Sequence, residues 1–532
     1  MSPKPGLNLG VWRTELADDA DREFLLSGLE NGFDIVDSEV QVVPVEVENH
    51  PSARPGSLNY PAIKQQVLQE ISEGNYVVCD SKPDFISPLG AIPKSTGAIR
   101  LIHDCSRPLG NSLNDYATLE FSQRFQTIDD ATSLVQPGYY MAKVDLKSAY
   151  RSVSISEKSQ QFTGLKFVLN GQVVYLRDTK LPFGSKLAPG IFHRLTQAVK
   201  RMMVRRGFTA VVVYLDDFFI CAPTLNDCMV AMNTLVVLLR HLGFSINWNK
   251  VIDPTRCLTF LGIEIDTASM IKRLPADKLL ALKVDLEVFA KRKRASKRQL
   301  QSLAGKLHWA AGVVYGGRVF VRRILDAICT LRAANHKCVL TLEMRRDIQW
   351  WKDFMRSFNG MTLIIDRGPE VIVFTDACDV GAGGYCEGDY FYCNWAVDWP
   401  ETQDSHINVK ELAAVVLAAQ RWGPLWANKH VLVLSDNSTT VAGINRGSSR
   451  SVLLMKYLRH IFWLSAMFNF RLKAVHVPGE DNVLADRISR LHEPNARQYL
   501  NVLLALSPLS WHMSYNGFLY ILDRSWVPGL AR

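Results

Sequence analysis

The run VVVYLDDFFICA, from Val211 to Ala222, constrains this chain most, because it places two adjacent carboxylates, Asp216 and Asp217, inside an apolar segment. A strand this hydrophobic is expected to be buried, and a buried carboxylate is costly unless it is paired or binds a metal. The pattern favours two short strands that fold back at Leu215–Asp217. Aspartate is also common in hairpin turns, so this run alone is compatible with a purely structural role.

A third carboxylate ends a second apolar strand. In GYYMAKVDLKSAY, Asp145 follows the strand-like run YYMAKV. If the two strands are neighbours in one sheet, three oxygen-donor groups converge and repel one another unless a divalent cation neutralises them. Mg²⁺ binds to one or two protein carboxylates together with phosphates and waters, and a pair of ions about 3.5–4 Å apart supports in-line phosphoryl displacement. The sequence therefore predicts a metal-dependent phosphoryl-transfer site.

Four motifs, RLIHDCSRP, VDLKSAY, LPFGSKLAPGIF and YLDD, occur in this order between about residues 80 and 266 and resemble the reverse transcriptase family. The resemblance implies a right-hand polymerase fold with fingers, palm and thumb. It also implies that Asp145 and Asp216 bind two Mg²⁺ ions, for which Mn²⁺ can substitute, and that Asp217 assists in the same metal site. Tyr150, five residues after Asp145, would pack under the sugar of the incoming nucleotide and favour dNTPs.

The same resemblance indicates the residues that contact the nucleotide. Arg100 matches an arginine that grips the triphosphate, and its guanidinium fork suits phosphate. Lys94, in AIPKSTGAIR, is a second candidate, although both cations are also compatible with a solvated hairpin tip. Phe183 stands where retroviral enzymes have glutamine, and Gly184 would allow close approach of the backbone to the substrate. Lys250, in GFSINWNK, resembles the lysine near the leaving pyrophosphate.

A second set of four carboxylates follows in the C-terminal half. Asp376 ends VIVFTD, Glu411 lies in NVKELAAVV, Asp436 ends VLVLSD and Asp486 lies in VLADRIS. Each has a structural alternative: two strand-end turn formers, a capping box in which Asn408 caps the helix that contains Glu411, and a helix surface. All four occur in the predicted order strand-strand-strand-helix-strand-helix-strand-helix, which makes coincidence the weaker explanation.

Order and residues together resemble the ribonuclease H fold between about residues 371 and 490. The resemblance implies a mixed sheet with flanking helices and a D-E-D-D set that binds two Mg²⁺ ions for cleavage of an RNA strand. His476, ten residues before Asp486, has a spacing similar to the family's mobile histidine. Asp481 competes for the role of the last aspartate, and the spacing favours Asp486.

With 532 residues, the chain is too long for one ordinary domain. We predict an α/β (α+β) multidomain protein, a right-hand polymerase followed by a ribonuclease H-like domain. The predicted domains are an acidic flexible extension (1–60, with a short helix near Ala20–Leu29), reverse transcriptase fingers and palm (61–270), a helical thumb or connection (271–365), a ribonuclease H-like domain (366–492) and a C-terminal tail of unknown role (493–532).

Charge is distributed unevenly. Residues 1–50 contain 3 Lys and Arg against 11 Asp and Glu, so the rest of the chain carries 58 minus 41, or +17. This balance suits a polyanionic partner, and it is equally compatible with a merely basic enzyme. The segment AKRKRASKRQ (residues 290–299) has six cations in ten residues. Phosphate contact and a solvated face explain it equally well, and nuclear import less well.

Two further observations bound the cellular setting. No stretch reaches 18 consecutive apolar residues, so we expect no membrane partner. The ten cysteines form no CxxC pair, which indicates reduced thiols and an intracellular protein.

We therefore expect an RNA-directed DNA polymerase with ribonuclease H activity, whose partners are an RNA template, a DNA primer, the RNA–DNA hybrid and dNTPs. The segment SDNSTTVAGINRGSSR most resembles the DIRS-like, tyrosine-recombinase class of retrotransposons, and Gypsy-like elements are the next most similar class. The alternative is a catalytically silent, nucleic-acid-binding remnant, which the seven intact carboxylates argue against. A repair polymerase without hybrid cleavage is disfavoured by the complete second set.

Overall fold

The computed structural model describes residues 6–37, 39–93, 99–117, 124–358, 360–364, 370–427, 429–494, 496–498 and 501. The chain divides into two compact units, Met1–Ile271 and Lys272–Arg532. Nearly all of the predicted C-terminal tail lies outside the described residues, as does Lys94.

The first unit contains helices and strands in alternation. They are α1 (Leu9–Glu15), α2 (Arg22–Asn31), β1 (Val45–Glu46), α3 (Tyr60–Ser72), β2 (Tyr76–Val78), β3 (Phe85–Ile86), β4 (Leu89–Pro93), β5 (Ile99–His103), α4 (Ile128–Thr132), β6 (Tyr140–Asp145), α5 (Glu157–Gln160), β7 (Gly164–Leu169), β8 (Gln172–Asp178), α6 (Ala188–Arg205), β9 (Val211–Tyr214), β10 (Asp217–Ala222), α7 (Leu225–His241), β11 (Ile252–Thr255), β12 (Cys257–Phe260) and β13 (Ile263–Asp266). Strand β14 (Ile271–Arg273) spans the division between the units.

The second unit begins with helices and continues with a mixed sheet. Its elements are α8 (Ala276–Ala290), β15 (Arg294–Ser296), α9 (Lys297–Ala310), α10 (Arg322–Thr330), β16 (Lys337–Val339), α11 (Leu342–Ser357), β17 (Met361–Leu363), β18 (Val371–Ala377), β19 (Gly381–Cys386), β20 (Asp389–Asn394), α12 (Trp395–Asp398), α13 (Pro400–Gln403), α14 (Ile407–Trp422), β21 (His430–Ser435), α15 (Ser438–Arg446), α16 (Val452–Phe468), β22 (Arg471–His476) and α17 (Val483–Ser489).

A four-stranded antiparallel sheet, which we call the palm sheet, carries the first carboxylate set. Its strand order is β11-β6-β10-β9, and α6 and α7 pack against it. The predicted strands are buried by their apolar side chains: Val211, Val213, Phe218 and Ile220 are at most 1% exposed. A second sheet, β1-β3-β7-β8-β2, encloses a smaller core with α3 and the β4–β5 hairpin.

The acidic N-terminal segment is folded, so the prediction of a flexible extension is wrong for its described residues. Helices α1 and α2 bury Trp12, Leu16 and Leu25 completely in the core of the first unit. Three acids of this segment, Glu15, Asp19 and Asp21, pair with arginines of α6 and its C-cap, which composition alone does not reveal. Asp19 lies 2.7 Å from Arg201. Burial acts to raise the pKa of Asp19, but the hydrogen bonds from Arg201 and the Asp21 amide, together with the charges of Arg201 and Arg205, outweigh it and lower that pKa. The predicted short helix corresponds to α2.

The N-terminal part of the second unit is mainly helical, as predicted, but it includes the two-stranded ribbon β15–β16. Helix α9 begins with a capping box between Ser296 and Gln299. Asp347 on α11 is 2% exposed and lies 2.8 Å from Arg323 and 3.6 Å from Arg459. Because Arg459 belongs to α16, this buried carboxylate joins the helical part to the ribonuclease H-like part of the same unit.

The sheet of the second unit has the order β20-β19-β18-β21-β22. Strands β18, β19 and β20 are antiparallel, whereas β21 and β22 run parallel to β18. The strands follow the predicted order, with the two short helices α12 and α13 added before α14 and two helices, α15 and α16, in place of one between β21 and β22. The outer edge of β22 is blocked by Tyr315, whose hydroxyl accepts from the amide of Leu472 at 2.8 Å and donates to its carbonyl at 2.6 Å.

None of the helices in the described part of the chain is both long enough and apolar enough to cross a bilayer.

Candidate active sites

The LDD run forms the tight hairpin that the sequence predicts. Strand β9 ends at Tyr214, strand β10 begins at Asp217, and Leu215 and Asp216 form the turn between them. Leu215 has a φ of +52°, a conformation that is uncommon for a residue with a branched side chain. Such backbone strain persists where the surroundings over-determine it, and functional sites are enriched in it.

The register of the palm sheet brings the three predicted carboxylates together. Asp217 on β10 is directly opposite Asp145 on β6, and the amide of Leu146 donates to the carbonyl of Asp216 at 3.0 Å. Side chains directly opposite each other in an antiparallel pair lie on the same face about 4.5–5.5 Å apart at Cβ, and like charges there are destabilising. The fold therefore holds like charges together at the ends of two neighbouring strands, which costs stability.

The pKa values of Asp216 and Asp217 are both raised. Burial, and to a smaller extent the charge of Asp145, raises the pKa of Asp216. Burial raises the pKa of Asp217 to about 6, although Lys143 opposes the shift from 3.0 Å away. Despite that short distance, Asp217 Oδ1 accepts no well-aligned hydrogen bond from the described residues. Buried, under-satisfied carboxylate oxygens are the donors that Mg²⁺ prefers, so this set fits a divalent cation.

Asp145 has two partners in the segment that precedes β11. The side-chain amide of Asn247 donates to Oδ1 at 2.8 Å, and Lys250 Nζ lies 3.1 Å from Oδ2. The structure thus places Lys250 beside the carboxylate set, with its side chain 60% exposed. Sequence analysis missed Asn247, although it lies three residues before Lys250 in the same motif.

Three of the predicted nucleotide-contacting residues form a continuous row. Tyr150 lies in the 3₁₀ helix Ala149–Ser152, and its ring centroid is 5.1 Å from that of Phe183. The guanidinium of Arg100 lies 5.8 Å from the centre of the Phe183 ring. Burial, followed by the negative charge of Asp216, raises the pKa of Tyr150 to about 12, so its hydroxyl stays protonated at neutral pH.

Gly184 occupies a position that excludes any side chain. Its φ is +144°, and an added Cβ would overlap the carbonyl oxygen of His103. Asn114 holds this segment, since its side chain donates to the Gly184 carbonyl at 2.9 Å and accepts from the Lys186 amide at 2.8 Å. Sequence analysis missed Asn114, because its partners lie about seventy residues away along the chain.

The second carboxylate set also converges. Asp376 lies near the end of β18, Asp436 follows the neighbouring parallel strand β21, and Glu411 lies in α14. One oxygen of each of the three lies within 4.8 Å of the others. The capping-box alternative for Glu411 is wrong, because α14 begins at Ile407 with His406 as its N-cap. Glu411 instead faces the sheet and accepts from the amide of Ala377 at 3.4 Å.

Burial, followed by repulsion between neighbouring carboxylates, raises the pKa values of Glu411 and Asp376. Burial, then Asp376 and Asp436, raises the pKa of Glu411 to about 9. Burial also raises the pKa of Asp376 to about 6. Glu411 Oε2 is buried and accepts no hydrogen bond within the described part of the chain. Three clustered oxygen donors, one of them an orphan, fit a hard divalent cation.

The two remaining predicted residues border this cluster. Asp486 on α17 is close enough for its charge to raise the pKa of Asp376, and its Oδ1 accepts from Arg490 Nε at 2.9 Å. The competing Asp481 is exposed in the 3₁₀ helix Gly479–Asp481. His476 ends β22 opposite Ser435, the residue before Asp436, and it is exposed.

Ser489 and a glycine on β19 were missed by sequence analysis. The hydroxyl of Ser489 lies 2.6 Å from Asp376 Oδ2 and 2.8 Å from the carbonyl of Asp486. An added Cβ on Gly383 would overlap the backbone of Ser489, so the bare strand lets α17 approach closely. The sequence signal for this close packing is the run of small residues GAGG (residues 381–384) on β19. Gly381 and Gly383 of this run lie against α17, the helix that carries Asp486.

Comparisons with known proteins agree with this geometry. Residues 92–265 match the family described as "Reverse transcriptase (RNA-dependent DNA polymerase)". The match covers the palm carboxylates and the row of nucleotide-contacting candidates.

About two thirds of the chain is similar to polyproteins of plant viruses. It is 22% identical over 386 residues to the enzymatic polyprotein of cauliflower mosaic virus (strain Strasbourg), which covers 70% of this chain and 53% of the relative. It is 24% identical over 362 residues to the genome polyprotein of petunia vein clearing virus (isolate Shepherd), covering 67% of this chain and 15% of the relative. The chain thus spans about half the length of the first of these relatives, and the specific DIRS-like or Gypsy-like class stays a prediction.

Solved structures with a similar fold come from foamy virus. A protease-reverse transcriptase in complex with an RNA/DNA hybrid has a TM-score of 0.52 and 16% identity, covering 90% of this chain and 64% of that chain. A second, in complex with double-stranded DNA, has a TM-score of 0.51 and 16% identity, covering 90% and 83%. The predicted fold class, a polymerase followed by a ribonuclease H-like domain, is confirmed.

Proposed function

We propose that this protein is an RNA-directed DNA polymerase with ribonuclease H activity, which copies retroelement RNA into DNA and cleaves the RNA of the resulting hybrid. The observation that carries the proposal is the cross-strand pairing of Asp217 with Asp145 beside Asp216. The convergence of Asp376, Glu411 and Asp436 supports the second activity.

At the polymerase site, Asp145, Asp216 and Asp217 would hold Mg²⁺ or Mn²⁺. The bound ions would neutralise the carboxylates, activate the primer 3′-hydroxyl and stabilise the leaving pyrophosphate. Tyr150, held between Phe183 and Phe192, presents a rigid aromatic surface that would exclude a 2′-hydroxyl. Arg100 would bind the triphosphate through its guanidinium fork.

At the ribonuclease H-like site, Asp376, Glu411, Asp436 and Asp486 would hold the divalent ions that activate water for RNA cleavage. Ser489 orients Asp376 by its hydrogen bond. His476, exposed at the end of β22, is free to approach the scissile strand and to transfer a proton there.

The partners of this reaction would be an RNA template, a DNA primer, the RNA–DNA hybrid and dNTPs. The source would be a retrotransposon, DIRS-like or Gypsy-like, because the motifs resemble those classes. None of the ten cysteines forms a disulfide within the described residues, which supports a site of action inside the cell.

The test uses purified protein with Mg²⁺, dNTPs and a labelled RNA template annealed to a DNA primer, and it follows primer extension and RNA cleavage in one reaction. We expect the wild type to do both, Asp216→Asn to lose extension alone, and Asp436→Asn to lose cleavage alone, each by at least ~100-fold. A wild type that binds the hybrid but does neither with Mg²⁺ or Mn²⁺ would instead establish the catalytically silent remnant.

A further inference from the structure

The basic run at residues 290–299 forms part of a rigid two-stranded ribbon in the second unit. Strand β15 pairs with β16 so that Arg294 is opposite Val339, Ala295 opposite Cys338 and Ser296 opposite Lys337. The pairing continues beyond the strands, because the amide of Leu340 donates to the carbonyl of Lys293 at 3.0 Å and that of Lys297 to the carbonyl of His336 at 2.8 Å. The basic run, for which the sequence left phosphate contact and a solvated face equally open, thus has a fixed backbone.

One face of this ribbon is anchored and the other is open to solvent. Ala295 is 1% exposed and Leu340 is also 1% exposed, which fixes the inner face in the core of the helical part. Because successive strand residues alternate between faces, Arg294 and Lys337 project from the opposite, outer face. Diagonal neighbours on one face of an antiparallel pair lie about 7–8 Å apart, so these two cations are close without touching.

Exposed cations lie on the outer face and in the segments that flank the two strands. Lys293, opposite Leu340 just before β15, is at an inner-face position by alternation, but its side chain is exposed. Acids are absent from both segments. Residues 288–325 and 327–342 contain no Asp or Glu. Six Lys and Arg side chains of the two strands and their flanks are exposed: Lys291, Lys293, Arg294, Arg298, Arg332 and Lys337. None of the ion pairs within the described residues engages these six. We call these six side chains the ribbon cations.

We propose that the ribbon cations bind the phosphate backbone of a nucleic-acid duplex without reading its sequence. The identity of the partner rests on the proposed function, since both reactions act on template–primer duplexes. The chemistry is independent of it: duplex DNA carries one negative charge per about 1.7 Å of axis, and each neutralised phosphate releases a counterion. Cations held on a paired backbone lose less conformational entropy on binding than cations on a flexible tail.

The experiment measures binding of a fluorescently labelled 20-base-pair RNA–DNA hybrid in EDTA, where no metal-dependent reaction can occur. The variant is Lys293→Gln/Arg294→Gln/Lys337→Gln. Each lost phosphate contact lowers the slope of log K against log salt by roughly 0.7–0.9, so we expect a slope shallower by about 2–3. The affinity at 150 mM salt should fall at least ~10-fold, equally for hybrids of unrelated sequence.

Two further variants separate this role from net charge and from misfolding. Arg22→Gln/Lys82→Gln/Lys456→Gln removes three exposed cations elsewhere and should change the slope by less than about 1. Lys293→Arg/Arg294→Lys/Lys337→Arg keeps the charges and should bind like the wild type. If the ribbon variant and the distant variant bind alike, the run is only a solvated face and the proposal fails.

The outcome is distinguishable from failure of the proposed function. A wild type that binds the hybrid with the steep salt dependence but neither extends primers nor cleaves RNA leaves the ribbon proposal standing and removes the enzymatic one. A wild type that is active, beside a ribbon variant with unchanged binding, removes the ribbon proposal alone. Loss of binding to anionic vesicles, with hybrid binding unchanged, would assign the surface to a membrane and overturn the proposal.

Discussion

Ser489 lies against the ribonuclease H-like carboxylates without being one of them. Its side chain is fully buried, and its hydroxyl is 2.6 Å from Asp376 Oδ2. The same hydroxyl lies 2.8 Å from the carbonyl of Asp486 in the preceding turn of α17. One small residue therefore ties the strand carboxylate to the helix that supplies the fourth acidic side chain. We regard it as a positioning residue, because it acts through Asp376.

Replacing Ser489 by alanine should weaken RNA cleavage about 10-fold and leave primer extension unchanged. A hydrogen bond to a charged group contributes roughly 1.5–3 kcal/mol, and part of that loss is recovered by relaxation. The Mg²⁺ concentration for half-maximal cleavage should rise, since Asp376 is no longer held in place. Both activities and Mn²⁺ binding by electron paramagnetic resonance would be measured.

The matched control is Ser465→Ala, which removes another buried hydroxyl of the same unit, one that donates to the carbonyl of Phe470 at 2.6 Å. It should lower stability without altering the Mg²⁺ requirement. If both serine variants shift the Mg²⁺ requirement alike, Ser489 is only a packing residue.

The metal-binding candidates were predictable from sequence because each ends or enters a strongly patterned element. Asp145, Asp376 and Asp436 all follow apolar strands, and strand ends in one sheet meet at one edge. Asn114 and Ser489 were not predictable, since a serine or asparagine is common everywhere and their partners are distant in sequence. Local pattern identifies charges that are costly to bury, but not the neutral groups that hold them.

At the scale of elements, Asp347 connects helices that the sequence shows as separate. It is on α11, Arg323 is on α10 and Arg459 is on α16. Burial raises the pKa of Asp347 to about 6, although Arg459 and Arg323 oppose the shift. Removing one partner of a buried pair is strongly destabilising, so the three residues depend on one another.

The raised pKa gives this contact a defined dependence on pH. Between the ordinary aspartate value near 4 and the folded value of about 6, the folded protein holds a proton that the unfolded chain releases. The stabilising contribution is therefore fully present below about pH 4 and is lost as the pH rises through about 6. It is absent in Asp347→Asn.

We expect the wild type to gain stability over Asp347→Asn by on the order of 1–3 kcal/mol as the pH falls from 7.5 to 4.5. Urea denaturation at several pH values measures this difference. Asp353→Asn, an exposed acid on the same helix, should show no such trend. A difference that stays flat would mean that the two arginines keep Asp347 ionised throughout.

The main strands of the palm sheet, the helices α3, α6 and α7, and the strand order of the ribonuclease H-like part follow from periodicity, whereas the prediction of a flexible N-terminal segment is wrong. Eleven acids in fifty residues hid the apolar positions Trp12, Leu16 and Leu25, which are spaced along α1 and α2. Because composition is averaged over the whole segment, it does not show whether the apolar residues are spaced so that a short helix can dock. The cationic surface that receives it, α6, lies more than 150 residues later in the chain.

For the whole molecule, the docking of the N-terminal segment affects which of the charges behind the net charge of +9 remain unpaired. Acids of the N-terminal segment are paired within the first unit: Asp19 with Arg201, Asp21 with Arg194, and Glu15 with Arg206. These acids therefore neutralise arginines of α6 and its C-cap. Unneutralised positive charge lies elsewhere, including on the ribbon cations of the second unit.

Removal of residues 1–31 should consequently unfold or strongly destabilise the first unit. Trp12, Leu16 and Leu25 are each completely buried, and burial of such a side chain contributes roughly 1.5–3 kcal/mol. Their sum is comparable to the 5–15 kcal/mol that typically separates a folded domain from its unfolded state. Trp12 also donates its indole N–H to the carbonyl of Leu242 at 3.1 Å, and the deletion would leave that acceptor unpaired.

Thermal unfolding and primer extension of the truncated chain, beside the full chain, measure this effect. Asp18→Asn/Glu23→Gln is the control, because it removes two exposed acids of the same segment and leaves its packing intact. The control should melt within about 2 °C of the wild type, since exposed charges contribute little. If the truncated chain melts with the full chain and extends primers equally well, the segment is the dispensable extension that its composition suggests, and its docked helices do not stabilise the unit.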